Sequence, residues 1–327
     1  MNALASSTYR LDDITEVDAA AMRGLFADVF GKPMSAAFRQ WKYRPGAGHG
    51  IGVWQGNALV AHYGGVGADV VIDGQPARAV QIVDVMVLPS VRQGVRSHSP
   101  FFLAASNFLE RYIGYGRPYL LGYGFPSHRV FRLAEHLRLY APVGGMSELS
   151  VAPVPLRWHE RRWHWQAITR ENYAQHQVQL DALWQAMLAS FPQAILVRKD
   201  AERLHYRYLQ HPEHQYHLQL LRAAFRRRAL AAAALKVESQ RVLLMDLIAD
   251  ARDFSRALTL LAAEVERRWH LPLQFWLSSA HAKPLLRDNI TATELPIVTP
   301  ANIWSPGPAP AELQDRWCLS AGDTDFL

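Results

Sequence analysis

Helical and extended hydrophobic patterns alternate along the chain, and the same order occurs twice. Apolar positions at helical spacing in AAAMRGLFADVF (19–30) are followed by FRQWKYRPG (38–46). Next comes GIGVWQGNALVAHYGGV (50–66), two apolar runs around a Gly-Asn turn, which predicts a β-hairpin. A further apolar run, VQIVDVMVLP (80–89), carries one acid, Asp84. It precedes an amphipathic helix, FFLAASNFLERY, and a strand, YLLGYGF.

The second half repeats the series. LDALWQAMLASF (180–191) precedes LHYRYLQHP (204–212), and YHLQLLRAAFRRRALAAAALKV (216–237) stands where the hairpin should be. RVLLMDLIAD (241–250) again holds a single acid within an apolar run, Asp246, and is followed by the helix RALTLLAAEVERRW and the strand LQFWLS. Trp41-Lys42-Tyr43 corresponds to Tyr206-Arg207-Tyr208; the acid follows 43 residues after Trp41 and 40 after Tyr206. The ordered set predicts two copies of one α/β unit, divided as residues 1–150 and 151–327. The Trp/Arg/His-rich stretch PVPLRWHERRWHW is the expected linker.

Composition narrows the class of protein. Half of the 327 residues are hydrophobic and a fifth charged, the balance of a globular chain. A single cysteine, Cys318, excludes an internal disulfide framework and fits a reducing compartment. The opening MNALASSTYRLDD has no apolar core behind a basic flank, and no apolar run approaches the roughly 18 residues of a spanning helix. A cytoplasmic location away from membranes is the expectation. The net charge of +6 is carried mainly by arginine, 30 of the 35 basic residues, and divides as +3 in each half. With no basic arm, nucleic acid is an unlikely partner, while anionic small molecules fit.

The order of helix, strands, acid-bearing strand, helix and strand, with a glycine loop after the middle strand, resembles the GNAT (Gcn5-related N-acetyltransferase) superfamily. The resemblance is most specific over residues 26–142, in VFGKPMSAAFRQWKYRPG, IVDVMVLPSVRQG and GYGFPSHRVFRLAEHL, and is to tandem GNAT proteins of bacteria. The second half is similar more faintly, and WCLSAGDTDFL resembles the strand and Gly-Asp turn that close such chains. The implied fold is two tandem domains, each a mixed, mostly antiparallel sheet flanked by helices. The implied activity is N-acyl transfer from acetyl-CoA, or another acyl-CoA, to a small-molecule amine without a metal. A catalytically silent scaffold of the same fold, or an acyltransferase that uses aminoacyl-tRNA, are the alternatives.

The resemblance also assigns roles. Acyl-CoA would lie along Met86 and Val87 and on the loop Arg92, Gln93, Gly94, Val95, Arg96, Ser97, His98 and Ser99, because unpaired amides and a helix N-terminus attract a pyrophosphate. Gly94 matches the family's glycine, whereas Val91 and Arg96 depart from its pattern. Ser99-Pro100 reads as an N-cap and first-turn pair. Arg92, Arg96, Ser97 and His98 either add donors for a phosphate or, with Arg96 filling the place of the ligand, mark a loop that has lost it. The matching IADARDFSRALTL has no glycine and carries Asp250 and Asp253, so no pyrophosphate site is expected there.

Asp84 stands where many GNAT enzymes keep a general base, and burial would raise its pKa toward a useful range. It is equally readable as a structural acid bonded to its surroundings, a reading that the repeated Asp246 strengthens. The family's tyrosine acid is missing from SHRVFRLAEHLRLY, leaving His128 or Tyr123 as substitutes. Lys42 and Arg44 could receive an anionic group of the acceptor, and Trp41 and Tyr43 could stack on a ring. The aromatics also read as core at a helix end. HPEHQYH spaces His211, His214 and His217 by three, but Pro212 argues against a helix, and a loop entering a strand is expected instead of a metal site.

Overall fold

The computed structural model describes residues 9–44, 46–92, 98–158, 160, 162–223 and 229–324. Strand β1 (Arg10–Asp13) forms the edge of the first sheet, and α1 (Ala19–Phe30) and α2 (Ala36–Lys42) follow it. Helix α1 buries Met22, Leu25 and Phe26, an i, i+3, i+4 stripe, and stops at Gly31, whose φ of 69° is the left-handed conformation glycine adopts freely. The Ser35 hydroxyl caps α2 by accepting from the Phe38 amide at 3.0 Å.

β2 (Gly48–Gln55) and β3 (Ala58–Ile72) form the expected hairpin about Gly56. β3 turns into β4 (Gln75–Val87) through Asp73-Gly74, both at positive φ, the backbone that a tight hairpin turn of this kind needs. α3 (Pro100–Tyr112) starts at Ser99, which accepts from Phe102 N at 3.3 Å, so the Ser-Pro start read from the sequence is present. β5 (Leu121–Tyr123) returns parallel to β4 and is followed by α4 (His128–His136) and β6 (Tyr140–Val151). Tyr63, Phe108, Leu109 and Ile113 lie in the core between this sheet and α3.

The later elements are β7 (Trp163–Ile168), α5 (Gln177–Ser190), β8 (Leu196–Val197) and α6 (Ala201–Leu204), which runs on as a π-helical turn to Leu209. Then come β9 (His217–Ala223), β10 (Ala229–Val237), β11 (Val242–Ala249), α7 (Ala251–Trp269), β12 (Leu273–Ser278) and β13 (Ile290–Asn302). Their sheet runs β13-β6-β12-β11-β10-β9-β7. Helix α7 buries Phe254, Ala257, Leu258, Leu261 and Val265, one helical stripe, and each large side chain removed from water is worth about 1.5–3 kcal/mol.

The two halves thus share a plan. In each, two helices precede a run of antiparallel strands whose third member pairs in parallel with the strand after the next helix. By contacts the chain forms two interleaved units rather than two pieces cut at residue 150. The first comprises residues up to 68, 78–143 and 298–313; the second comprises 69–77, 144–297 and 314 onward. The reason is local: Val70 and Val71, beside the β3–β4 turn, pair with Val197 and Leu196, and β6 beyond Gly144 pairs with β12. Among the described residues no helix is long and apolar enough to cross a membrane.

Candidate functional site: a parted strand pair in each unit

Strands β4 and β5 are bonded only over Ala79↔Leu121, Val80↔Gly122 and Gln81↔Tyr123, although β4 continues to Val87. Beyond Gln81 the pairing stops because β5 ends at Tyr123 while β4 runs on, and Gly124 still lies beside Ile82. Val85 and Val87 pack toward the α3 face of the sheet, whereas Met86, fully buried, packs with Met22, Leu25 and Phe26 of α1. Asp84 sits between them with φ 48°, in the left-handed region. That backbone costs an L-residue roughly 1–2 kcal/mol, although aspartate tolerates it better than most.

Three side chains hold this residue. Lys42 Nζ donates to Asp84 Oδ1 at 2.8 Å, both side chains about 5% exposed or less. Tyr43 Oη donates to Oδ2 at 2.5 Å. His62 Nδ1 lies 2.7 Å from the Asp84 carbonyl oxygen. A carbonyl only accepts, so Nδ1 carries the proton. Burial lowers the His62 pKa, against the raising effect of that hydrogen bond and of the Asp84 charge, and the imidazole is neutral near pH 7.

The second unit parts its strands in the same place. β11 and β12 pair over Val242↔Leu273, Leu243↔Gln274 and Leu244↔Phe275, and then separate. A bulge leaves Met245 as the extra residue of β11, directly before Asp246. Asp246 again takes a tyrosine and a lysine: Tyr208 Oη on Oδ2 and Lys199 Nζ on Oδ1. The same Lys199 reaches Asp323 at 2.8 Å and Ser320 at 3.0 Å. The chain end fills the gap between the parted strands. Ser320 bridges Leu277, Ser278 N donates to Leu319 O at 2.9 Å, and Arg207 donates to Gly322 O and Thr324 O at 3.2 and 2.9 Å. A Cβ added at Gly322 would lie 2.1 Å from the Tyr208 hydroxyl and 2.4 Å from an Asp246 oxygen, so only glycine fits there. Burial lowers the Lys199 pKa, but the charges of Asp246 and Asp323 outweigh it and the net shift is upward; burial raises that of Asp323.

Residues 10–98 match the acetyltransferase (GNAT) domain family. The matched stretch runs from β1 to just before α3 and is what this chain shares with that family. Solved structures similar to the chain share its fold. A probable N-acyltransferase of Enterococcus faecalis superposes at a TM-score of 0.66 with 12% identity, over 91% of this chain and 73% of that one. A GCN5-related N-acetyltransferase of Kribbella flavida gives 0.62 with 18% identity, over 89% and 70%. An N-myristoyltransferase of Saccharomyces cerevisiae, solved with myristoyl-CoA and inhibitors, gives 0.56 with 11% identity, over 99% and 87%. No curated protein matches the sequence.

The fold brings some of the sequence candidates together and separates others. Lys42 and Tyr43 converge on Asp84, so they serve the acid and do not stand free for an acceptor. Trp41 is half-buried and stacked on Phe38 at 5.8 Å, in keeping with a core role, and Arg44 is exposed. Tyr123 is fully buried on β5, whereas His128 is exposed at the start of α4 and is not among the partners of Asp84. Arg92 is exposed and donates through Nε to Val87 O at 2.9 Å; His98 is exposed and Ser99 is the cap of α3. Gln93, Gly94, Val95, Arg96 and Ser97 lie outside the described residues. His211 and His214 stack at 4.9 Å in the loop before β9, His217 opens that strand against Trp269, and the described residues hold no cluster suited to a metal.

His62, Lys199, Ser320 and Asp323 were not legible as site residues. His62 carried a usable signal, since it is the one group in the apolar run ALVAHYGGV that ordinarily titrates near neutral pH. The other three come from segments that only the fold brings to Asp246.

Proposed function

We propose that the chain is an acyl-CoA-dependent N-acyltransferase, with acetyl-CoA as donor, a small-molecule amine as acceptor and the first unit as its site. One observation carries this reading: β4 runs on past its last pair with β5, and α3 then opens at a capped N-terminus. Of the strand edge beyond Gln81, the Asp84 carbonyl is held by His62 and that of Val87 by Arg92; the remaining main-chain groups are what the two amides of a pantetheine arm would pair with, as an added strand would. At the start of α3 Pro100 has no N–H and the Phe102 and Leu103 amides are bonded to Ser99, so the Phe101 amide and the positive end of the helix, with the loop before it, are what would receive the pyrophosphate. In the second unit the tail takes up the corresponding gap, which confines the reading to the first.

In the reaction the acceptor nitrogen attacks the thioester carbonyl carbon, the C–S bond breaks, and the proton lost by the amine ends on the CoA thiolate. With its carboxylate held by Lys42 and Tyr43, Asp84 supports the strand, and the amine loses its proton to solvent or to a group of the acceptor pocket. Calorimetric titration of acetyl-CoA into wild type and Gly94→Trp tests the site. Binding by wild type and its loss in the variant is expected. No binding of acetyl-CoA or a longer acyl-CoA by wild type would defeat the reading, and binding that survives Gly94→Trp would move the site off the loop.

A further inference from the structure

The two units share an Asp, a Tyr and a Lys at the parting of their strands, yet one partner is not shared. In the first unit the Asp84 carbonyl is held by His62 Nδ1 at 2.7 Å, and Asp84 is left-handed. In the second, Asp246 is paired by β10, whose residues Ala231–Ala234 are all alanine, and its φ is not positive. The unit that closes its gap with its own tail therefore keeps the triad and lacks both the imidazole and the unusual backbone.

The ring's placement shows what it can do. Strand order puts β3, which bears His62, between β2 and β4. Nδ1 faces β4, while Nε2 lies over Gly50 of β2, 2.6 Å from where a Cβ would stand, and Cε1 lies 2.5 Å from the corresponding point on Gly64. Two glycines make the floor on which the imidazole lies flat. The basic nitrogen thus points away from the parted strands, and the N–H points toward them. His62 is 2% exposed, which bars direct contact with a substrate.

We infer that His62 is a positioning residue: its Nδ1–H clamps the Asp84 carbonyl, keeps Asp84 left-handed, and so shapes the edge of β4 that receives the acyl-CoA arm. This rests on the acyl-CoA reading above. The glycines at 50 and 64 are then part of the same device, because either side chain would lift the ring off its partner.

The test uses the geometry of the donor. In His62→Asn the amide nitrogen sits near the place of Nδ1 and can still donate, whereas His62→Gln carries its amide one bond further out. Gly50→Ala leaves the histidine in place but crowds its ring. His62→Asn should bind acetyl-CoA within about threefold of wild type, while His62→Gln and Gly50→Ala should weaken binding about tenfold or more, with kcat at saturation little changed. Thermal melting confirms that each variant is folded. Nitrogen-15 NMR of labelled histidine, assigned by its loss in His62→Asn, should show the Nδ1–H form. An Asn variant as weak as Gln, a folded Gln variant of wild-type affinity, or an Nε2–H ring would overturn the inference. If wild type binds no acyl-CoA, the functional reading falls first. The clamp is then judged on the NMR alone, surviving if the ring is Nδ1–H and His62→Asn, but not His62→Gln, preserves the Val85 amide resonance.

Discussion

Asp84 illustrates how an acid in an apolar strand is read differently once its neighbours are known. An isolated buried carboxylate is expensive, so either a catalytic duty or a counter-charge must account for it. The counter-charge is present: Lys42 and Tyr43 both donate to the Asp84 carboxylate, and Lys199, Tyr208 and Ser320 donate to that of Asp246. Removing one member of such a pair strands the other charge. Asp84→Asn is therefore expected to lower unfolding free energy by about 3–5 kcal/mol in urea titrations, and Lys42→Met in the same chain should restore most of it. A stable Asp84→Asn protein that has lost turnover alone would return the residue to the chemistry.

At the level of elements, the same parted strand pair occurs twice and is used in two ways. β4 outruns β5 after Gln81, and β11 and β12 part after Leu244. In the second case the chain end is built in, tied by Lys199, Ser320, Asp323 and the carbonyls held by Arg207. Gly322 is the tight point of that docking. Gly322→Val should expel the tail, lower the melting temperature by several degrees and expose the residues after Trp317 to limited proteolysis, as a core-overpacking change does. A variant with wild-type melting and an intact tail would show that the gap tolerates a side chain.

Across the whole molecule, burial of histidine couples stability to pH. His49, His62, His205, His211, His217 and His281 all have lowered pKa values with burial as the first cause, and His211 is brought down to about 3. A group whose folded pKa lies below its unfolded value is protonated first in the unfolded chain. Stability from these groups is full above about pH 6.5 and is lost as pH falls toward the folded values. The urea midpoint should thus decline steadily below pH 6.5, and His211→Asn should flatten the slope between pH 6 and 4. A midpoint constant over that range would contradict the assignment.

Much of the plan was legible from the chain alone, for a physical reason. Hydrophobic periodicity depends on near neighbours, so the two-fold order, the hairpin at Gly56-Asn57, the Ser99-Pro100 helix start and the paired acids at 84 and 246 could all be read from it. The resemblance to GNAT proteins rests on the same local stretches, and the fold agrees with it. Tertiary structure alone decided which groups meet. Lys42 and Tyr43 reach Asp84 from 42 and 41 residues away, Lys199 reaches Asp246 across 47, and Asp323 joins them from 124 residues beyond Lys199. Nothing local in Trp-Lys-Tyr distinguishes an acceptor pocket from a clamp on a buried acid, because the distinction depends on where a strand from another part of the chain is laid. The left-handed backbone of Asp84, the imidazole that holds it and the closing of the second gap by the tail are consequences of that long-range packing, which the order of residues encodes but does not display.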